Sequence, residues 1–475
     1  VSVSAQTTDT QDRLEPATRR DPNRLLPADP ELRAIARDLM AAVEHAPIIS
    51  PHGHVPAGSL ARDEPFADPT ELLVSSDHYL TRLLHAEGVD LATLGVGGVD
   101  VDPREAWRTV ARHWHAFAGT ATGYWMAEAL AGVFGIDLEL SATTADEIYD
   151  RIAANLRTDE YRPRALFNRF GIDVLATTDD PLDDLADHRA LQADGFRVLP
   201  TFRPDRYLDP GDARFADSVD ALLGSTTEAA SFSGYLRALQ ARRAHFVDAG
   251  AVSTDHGVLE PTTLDLDPHE AETLFQRVLR GGTADDARRF RAHMLLQMAR
   301  MSVDDGLVMT LHPGVFRNHS SDTLLRHGAD TGHDIPVPVS FVEGLRPLLE
   351  RYGLASGFHL VLFTIDETTY SREIAPLAGF YPSVFIGSPW WFLDAPDAIA
   401  RFRSAVTETA GFYRGSGFVD DTRAFLSIPA RHDTARRADA AFLARLVVEG
   451  RLTPSRAEAI AVDLVDSIPR RAFKL

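Results

Sequence analysis

The sequence predicts an α/β fold: a (β/α)8 TIM-type barrel with a helical insertion after strand 1 and a C-terminal helical extension. Three observations point there. From Gly171 onward, short apolar runs alternate with segments of helical periodicity, and with the early run "PIIS" they make about eight strand–helix units. No glycine-rich dinucleotide or phosphate fingerprint follows any run. That absence weakens the alternative, a doubly wound open sheet. Ionisable residues also collect where the runs pass into loops, the end at which strand–helix barrels carry their chemistry.

Residues 1–28 are polar and read as a flexible N-terminal arm; they lack the basic start and apolar core of a secretory signal. Asp29 and Pro30 open a helix in "DPELRAIARDLMAAVEHA", whose apolar residues recur at three- and four-residue spacing. "PIIS" follows as the first strand. Residues from about 60 to 170 are mostly helical in pattern, as in "DPREAWRTVARHWHAFAG" and "TADEIYDRIAANL". The later strands are "IDVLATT", "RVLPTF", "AGAVSTD", "GLVMTLHPG", "HLVLFTID", "SVFIGSPWW" and a weaker last one, "GFVDDTR". Between them lie helices such as "PHEAETLFQRVLRGG" and "DAPDAIARFRSAVTETAGFYR", and "LTPSRAEAIAVDLVDSIPRRAFKL" reads as a closing helix. Residues 29–475 are thus expected to form one barrel domain.

Composition narrows the function. Of 475 residues, 44% are hydrophobic and 25% charged, the balance of a soluble globular protein. A net charge of -21 argues against nucleic acid and anionic membranes as partners. No apolar window is long enough to span a bilayer, so a cytoplasmic location is expected. The absence of cysteine excludes disulfides, thiolate metal sites and a cysteine nucleophile. An anionic substrate would need a locally basic pocket.

The strand ends supply candidates. In "PIISPHGHVP", His52 and His54 are two residues apart, so in an extended segment both imidazoles project to one side, as a pair of metal ligands does. With Asp421 after the last strand they suggest a one-metal site. Arg203, Arg317 and Arg423 suit a carboxylate, which a guanidinium grips with two parallel hydrogen bonds. Each also has a structural reading: Arg203 paired with Asp205, Arg317 capping a helix, Arg423 bridging Asp421. Other strand-end polar groups are Thr177, Thr178, Asp179, Asp180, Asp255, His256, His312, Asp394 and Asp420. Trp390 and Trp391 read as a pocket wall.

Taken together, "PIISPHGHV", "DEPFADPTELLVSSDHYLTRLLHAEGV", "TTDDPLDDLADH", "PTFRPD", "STDHG", "LHPGVFRN", "GSPWWFLD" and "DDTRAFLSIPARH" resemble, in order, the uronate isomerase (glucuronate isomerase) family of the amidohydrolase superfamily. The resemblance implies aldose–ketose isomerisation of D-glucuronate to D-fructuronate, or of D-galacturonate to D-tagaturonate, through an enediol. It implies one divalent ion on His52, His54 and Asp421, expected to be zinc with manganese as the alternative; a mainly positional role for it, and so only partial metal dependence, is the mechanistic expectation. Asp421, Arg423, His78 and Tyr79 match its catalytic positions; the pair in "SDHYL" comes to the substrate from outside the barrel. Arg203, Arg317, His54, His312, Trp390 and Trp391 make the substrate-binding set. The partner is a small uronic acid, and a homo-oligomer follows on family grounds. From residues alone, Ser76 or Asp77 in "SDHYL" would be a helix cap and Tyr79 a packing residue. The sequence departs from the family at Ser50 (for Asp), Gly53 (for Cys), Leu393 (for Asn), "FTID" (for "LNP") and Asp420 beside the ligand. A metal-dependent hydrolase on the same barrel is the alternative function.

Overall fold

The computed structural model describes residues 21–475. Strand β1 (Ile48–Ser50) pairs in parallel with β2 (Ile172–Ala176), and β2 pairs with β3 (Val198–Leu199). Pro200, which has no N–H to donate, interrupts the ladder. The chain resumes as β4 (Thr201–Phe202), the edge of a second parallel sheet that continues through β5 (Ser253–Val258) and β6 (Val308–Pro313). A small antiparallel hairpin, β7 (Val315–Phe316) and β8 (Ile335–Pro336), leaves the end of β6. Strands β9 (Leu360–Leu362) and β10 (Val384–Ile386) complete the second sheet.

The parallel strands follow one another in chain order around an arc, which is the expected TIM-type arrangement. The eighth position differs from expectation. "GFVDDTR" forms no regular strand. It is held by a parallel bridge between Gly415 and Ile386 on one side and by the backbone bond His54 N–H to Thr422 O (3.0 Å) on the other. Gly417 (φ +73°) and Asp421 (φ +41°) lie in the left-handed region, so an extended ladder cannot run through them.

Parallel strands covered on both faces read as continuous apolar runs. Accordingly β6 and β9 are buried at every position. The helical insertion packs its own core, with Leu80, Leu84, Trp107, Val110, Ile148 and Ile152, against Ile48, Ile172, Leu175 and Val198 of the first three strands. This fixes the insertion over one part of the strand ends. At the N-terminus, the Asp29 carboxylate accepts from the N–H groups of Glu31 and Leu32 at 3.0 Å, and Pro30 opens the helix Pro30–Val43. Of the expected arm, residues 1–20 lie outside the described residues. Arg24 is ion-paired to Asp433 (2.7 Å) and Glu128 (3.0 Å).

The expected closing helix is two helices, Pro454–Val465 and Ser467–Phe473. Pro469 is the reason: within one continuous helix it could not donate to Val465 O, and its ring would clash there.

The helix Ile428–Val448 carries residues of the site, and a buried bidentate pair docks it. Arg403 Nε and Nη2 donate to the two carboxylate oxygens of Asp439 at 2.5 and 2.7 Å. Asp439→Ala leaves that guanidinium buried without its partner, and a loss of about 3–5 kcal/mol is expected. Urea unfolding measures it; an unchanged midpoint would show that the pair contributes nothing.

Candidate active site

A cavity of about 300 Å³ opens at the ends of the strands. His52, His54, His78, Tyr79, Arg203, His312, Arg317, Trp390, Trp391, Asp421 and Arg423 all line it. Strand alternation sorts the neighbours. Asp255 faces the cavity, whereas His256, next along β5, is buried on Thr254 Oγ1 (3.1 Å). Asp420 likewise turns from the cavity to His432 Nε2 (3.0 Å). Thr177 and Asp179 form a buried cluster with His188, and Asp180 holds Tyr207 and Arg206. These strand-end groups, with Thr178, Asp205 and Asp394, do not line the cavity.

His52 Nε2 and His54 Nε2 lie 3.4 and 3.0 Å from Asp421 Oδ1. The three ligand atoms are within 4.8 Å of one another. Asp421 Oδ1 is buried and receives no hydrogen bond. Two ring nitrogens and a carboxylate oxygen converging this closely need a proton or a cation between them, and two imidazoles with one carboxylate suit a divalent ion. Burial opposes the Asp421 charge, but His52 and His54 outweigh it and hold its pKa well below the usual range. Burial is also the largest influence on both imidazoles. It prevails at His54, which is lowered; at His52 it is overcome by Asp255 and Asp421.

A second group, His52, Asp255 and His312, is equally compact. Its carboxylate is already committed. His312 Nδ1 donates to Asp255 Oδ1 at 2.7 Å, and Arg203 Nη1 lies 3.3 Å from Oδ2. The bond fixes the His312 tautomer with Nε2, buried and without a partner, as the free acceptor. His312 is stacked between His52 (4.8 Å) and Phe363 of "FTID" (4.2 Å), with the edge of Trp390 at 4.8 Å.

Each cavity arginine faces a carboxylate. Arg203 Nε donates to Asp205 (2.9 Å), Arg317 pairs with Asp334 (2.8 Å) and Arg423 with Asp330 (3.1 Å). The Arg203–Asp205 pairing expected from the sequence is therefore present. Arg423 bridges Asp330 rather than Asp421. Arg317 caps no helix; it follows β7 and lies over Trp391, 5.6 Å from the ring centre.

Both readings of "SDHYL" hold together. Asp77 caps the helix His78–Ala86 by accepting from Tyr79 N–H (2.8 Å), and the same turn presents His78 and Tyr79 to the cavity. The His78 ring stacks on Tyr79 (5.1 Å) and meets Trp391 edge-on (5.5 Å). Burial first, then Arg423, pushes His78 down to about 4, so it is neutral at neutral pH. An ordinary histidine titrates near 6.5. Between those values the unfolded chain binds a proton that the folded chain does not, so stability is full above about pH 6.5 and falls toward pH 4. His78→Gln should flatten that fall, read as urea midpoints near pH 7 and near pH 4.5; equal slopes for both proteins would contradict it.

Left-handed non-glycine residues gather here: Asn318, Asp330, Trp391, Phe392 and Asp421. Such backbone costs energy and persists where the surroundings enforce it. At the departures from the family, Gly53 leaves a space 3.6–3.7 Å from Asp420 Oδ1 and Ser50 Oγ, both buried and unpartnered. Leu393 packs against the main core.

Asp330, Asp334 and Arg431 also line the cavity, and sequence reasoning did not single them out. The two aspartates stand in an aperiodic loop with no pattern to mark them. Arg431 stood within "IPARH", a charged residue in a helix buried almost throughout, and that was its one signal.

The sequence profile of the glucuronate isomerase family matches residues 32–469. The chain belongs to that family. It is 53% identical to the uronate isomerase of Corynebacterium efficiens over 96% of this chain and 98% of that one. The crystal structure of glucuronate isomerase from Caulobacter crescentus superposes with a TM-score of 0.93 at 49% identity, covering 95% of this chain and 96% of that one. The uronate isomerase of Thermotoga maritima superposes with a TM-score of 0.90 at 27% identity, over 95% and 98% of the two chains. The Caulobacter and Thermotoga structures thus share this chain's fold over 95% of its length.

Proposed function

We propose that this chain is an aldose–ketose isomerase of uronic acids, converting D-glucuronate to D-fructuronate, D-galacturonate to D-tagaturonate, or both, in the cavity described above. Family membership over nearly the whole chain carries the reaction class and favours it over the hydrolase reading. The observation that carries the site is the convergence of His52, His54 and Asp421 within a ring of Arg203, Arg317 and Arg423.

The three guanidinium groups bind the substrate carboxylate and offset negative charge that develops on its oxygens. Their present partners, Asp205, Asp334 and Asp330, hold them in orientation. Asp421 exchanges protons with the substrate hydroxyls, and one of His78 and Tyr79 carries the carbon-bound proton between C2 and C1. Trp390 and Trp391 wall the cavity and exclude water. His52, His54 and Asp421 would hold one divalent ion, zinc or manganese, which when bound orients and polarises the substrate oxygens.

Ketose formation from purified protein with each uronate tests the activity, and no ketose from either would refute it. Chelation is expected to slow turnover without abolishing it, with recovery on adding zinc or manganese. Complete, metal-reversible loss would instead show that the ion is obligatory for the isomerisation.

A further inference from the structure

Tyr79 presents a difficulty as a carrier of protons from carbon. Burial and Asp394 keep it a neutral phenol, whose pKa is raised well above the ordinary value. A neutral phenol cannot accept a proton unless it passes its own to something else. The structure supplies an acceptor. The Tyr79 hydroxyl donates to Asp394 Oδ2 at 3.1 Å. Asp394 is 4% exposed and does not line the cavity, whereas Tyr79, bonded to it, does.

The same carboxylate oxygen receives Arg431 Nη1 at 2.5 Å. Arg431 is 2% exposed and is fixed on all sides. Its Nε donates to Ser427 Oγ (3.1 Å), and its guanidinium lies 3.8 Å from the Trp125 ring centre and 5.1 Å from that of Tyr79. A cation and carboxylate this deep are costly to desolvate and persist only because they are paired. Three segments distant in sequence, a helix N-terminus, the loop after β10 and the helix Ile428–Val448, meet to build the cluster.

We propose that Asp394 and Arg431 form a proton relay behind Tyr79, with Asp394 the acceptor and Arg431 the group that positions it. This rests on the isomerase reading and decides, within it, which residue serves the carbon. As the C2–H bond breaks, its proton joins Tyr79 Oη while the original phenolic proton passes to Asp394 Oδ2. The C2–H electron pair becomes the C1–C2 double bond, and the carbonyl pair moves onto O1. O1 then takes a proton in exchange for the one O2 releases, through Asp421. In the return step the electron pair on O2 becomes the C2 carbonyl, the C1–C2 double-bond pair takes the proton from Tyr79 at C1, and Asp394 gives one back to Tyr79. No phenolate forms, and each group ends as it began. Burial raises the Asp394 pKa and so strengthens it as a proton acceptor, while Arg431 opposes that rise and favours the carboxylate.

Asp394→Asn preserves shape and hydrogen bonding but cannot hold the relayed proton. It should lower kcat on the preferred uronate by about 100-fold or more, with KM within about threefold. Metal content should be unchanged, and Asp394→Glu should recover part of the rate. The double variant with Tyr79→Phe should be no slower than Tyr79→Phe alone, since both act in one unit. On uronate deuterated at C2, which makes cleavage of that bond slow, the wild-type enzyme, which needs no variant to fold, should turn over more slowly in deuterium oxide, because the phenolic proton moves in the same step. Three results would overturn the relay: no solvent isotope effect on that substrate, an Asp394→Asn enzyme with normal kcat, or losses that multiply in the double variant. A wild-type protein that converts neither uronate would refute the underlying function and the relay with it; an active wild type with a fully active Asp394→Asn refutes the relay alone.

Discussion

Asp421→Asn should lower the rate of ketose formation by about three orders of magnitude, within the range that a positioned acid–base group contributes, while the protein folds as before. Asp421 is the only carboxylate in the candidate ligand set, and both imidazoles face its Oδ1 at 3.0 and 3.4 Å. Asparagine has nearly the same volume. It also tolerates the left-handed conformation that Asp421 adopts at φ +41°, better than most residues. The substitution therefore removes charge and proton exchange without a backbone penalty. Metal content should fall with it, because one anionic ligand is lost. The checks are a ketose assay, metal analysis and a thermal melt on one preparation. Near-normal turnover would take Asp421 out of the chemistry.

Arg423→Met should lower kcat/KM by about 100- to 1000-fold, the scale on which a preorganised donor stabilises developing charge. Methionine keeps the length of the stem and removes the cation. The substitution frees Asp330, whose side chain is 47% exposed and stays solvated, so stability should change little. The effect should be larger for the uronate than for a neutral aldose of the same stereochemistry, which lacks the carboxylate Arg423 would grip. An equal loss on both would show that Arg423 acts on the sugar hydroxyls or only on the loop that carries Asp330. The comparison needs only steady-state kinetics on the two sugars.

Much of this was legible in the chain. The parallel strands from β1 to β10 matched apolar runs because burial on both faces leaves a continuous signal. Asp29 marked its helix start because a cap acts on the next three residues. The His52–His54 pair was visible because its geometry follows from a two-residue period. The last strand was not legible: "FVDD" has strand-like residues, but Gly417 and the left-handed Asp421 bend it. The break at Asp466 was missed because the amphipathic period continues across it, although Pro469 was in view.

The sequence by itself determined the kinds of groups available, the order in which strand ends deliver them, and which alternate residues share a face. These depend on neighbours a few positions apart. Only the tertiary structure decided which carboxylate each arginine meets, that Arg423 turns to Asp330 and not to Asp421, and that Tyr79 and Arg431 meet on Asp394. Such pairs join residues tens to hundreds of positions apart. No local period encodes them; they arise when the strands, the insertion and the C-terminal helix bury their apolar faces together and bring their polar ends into one cavity.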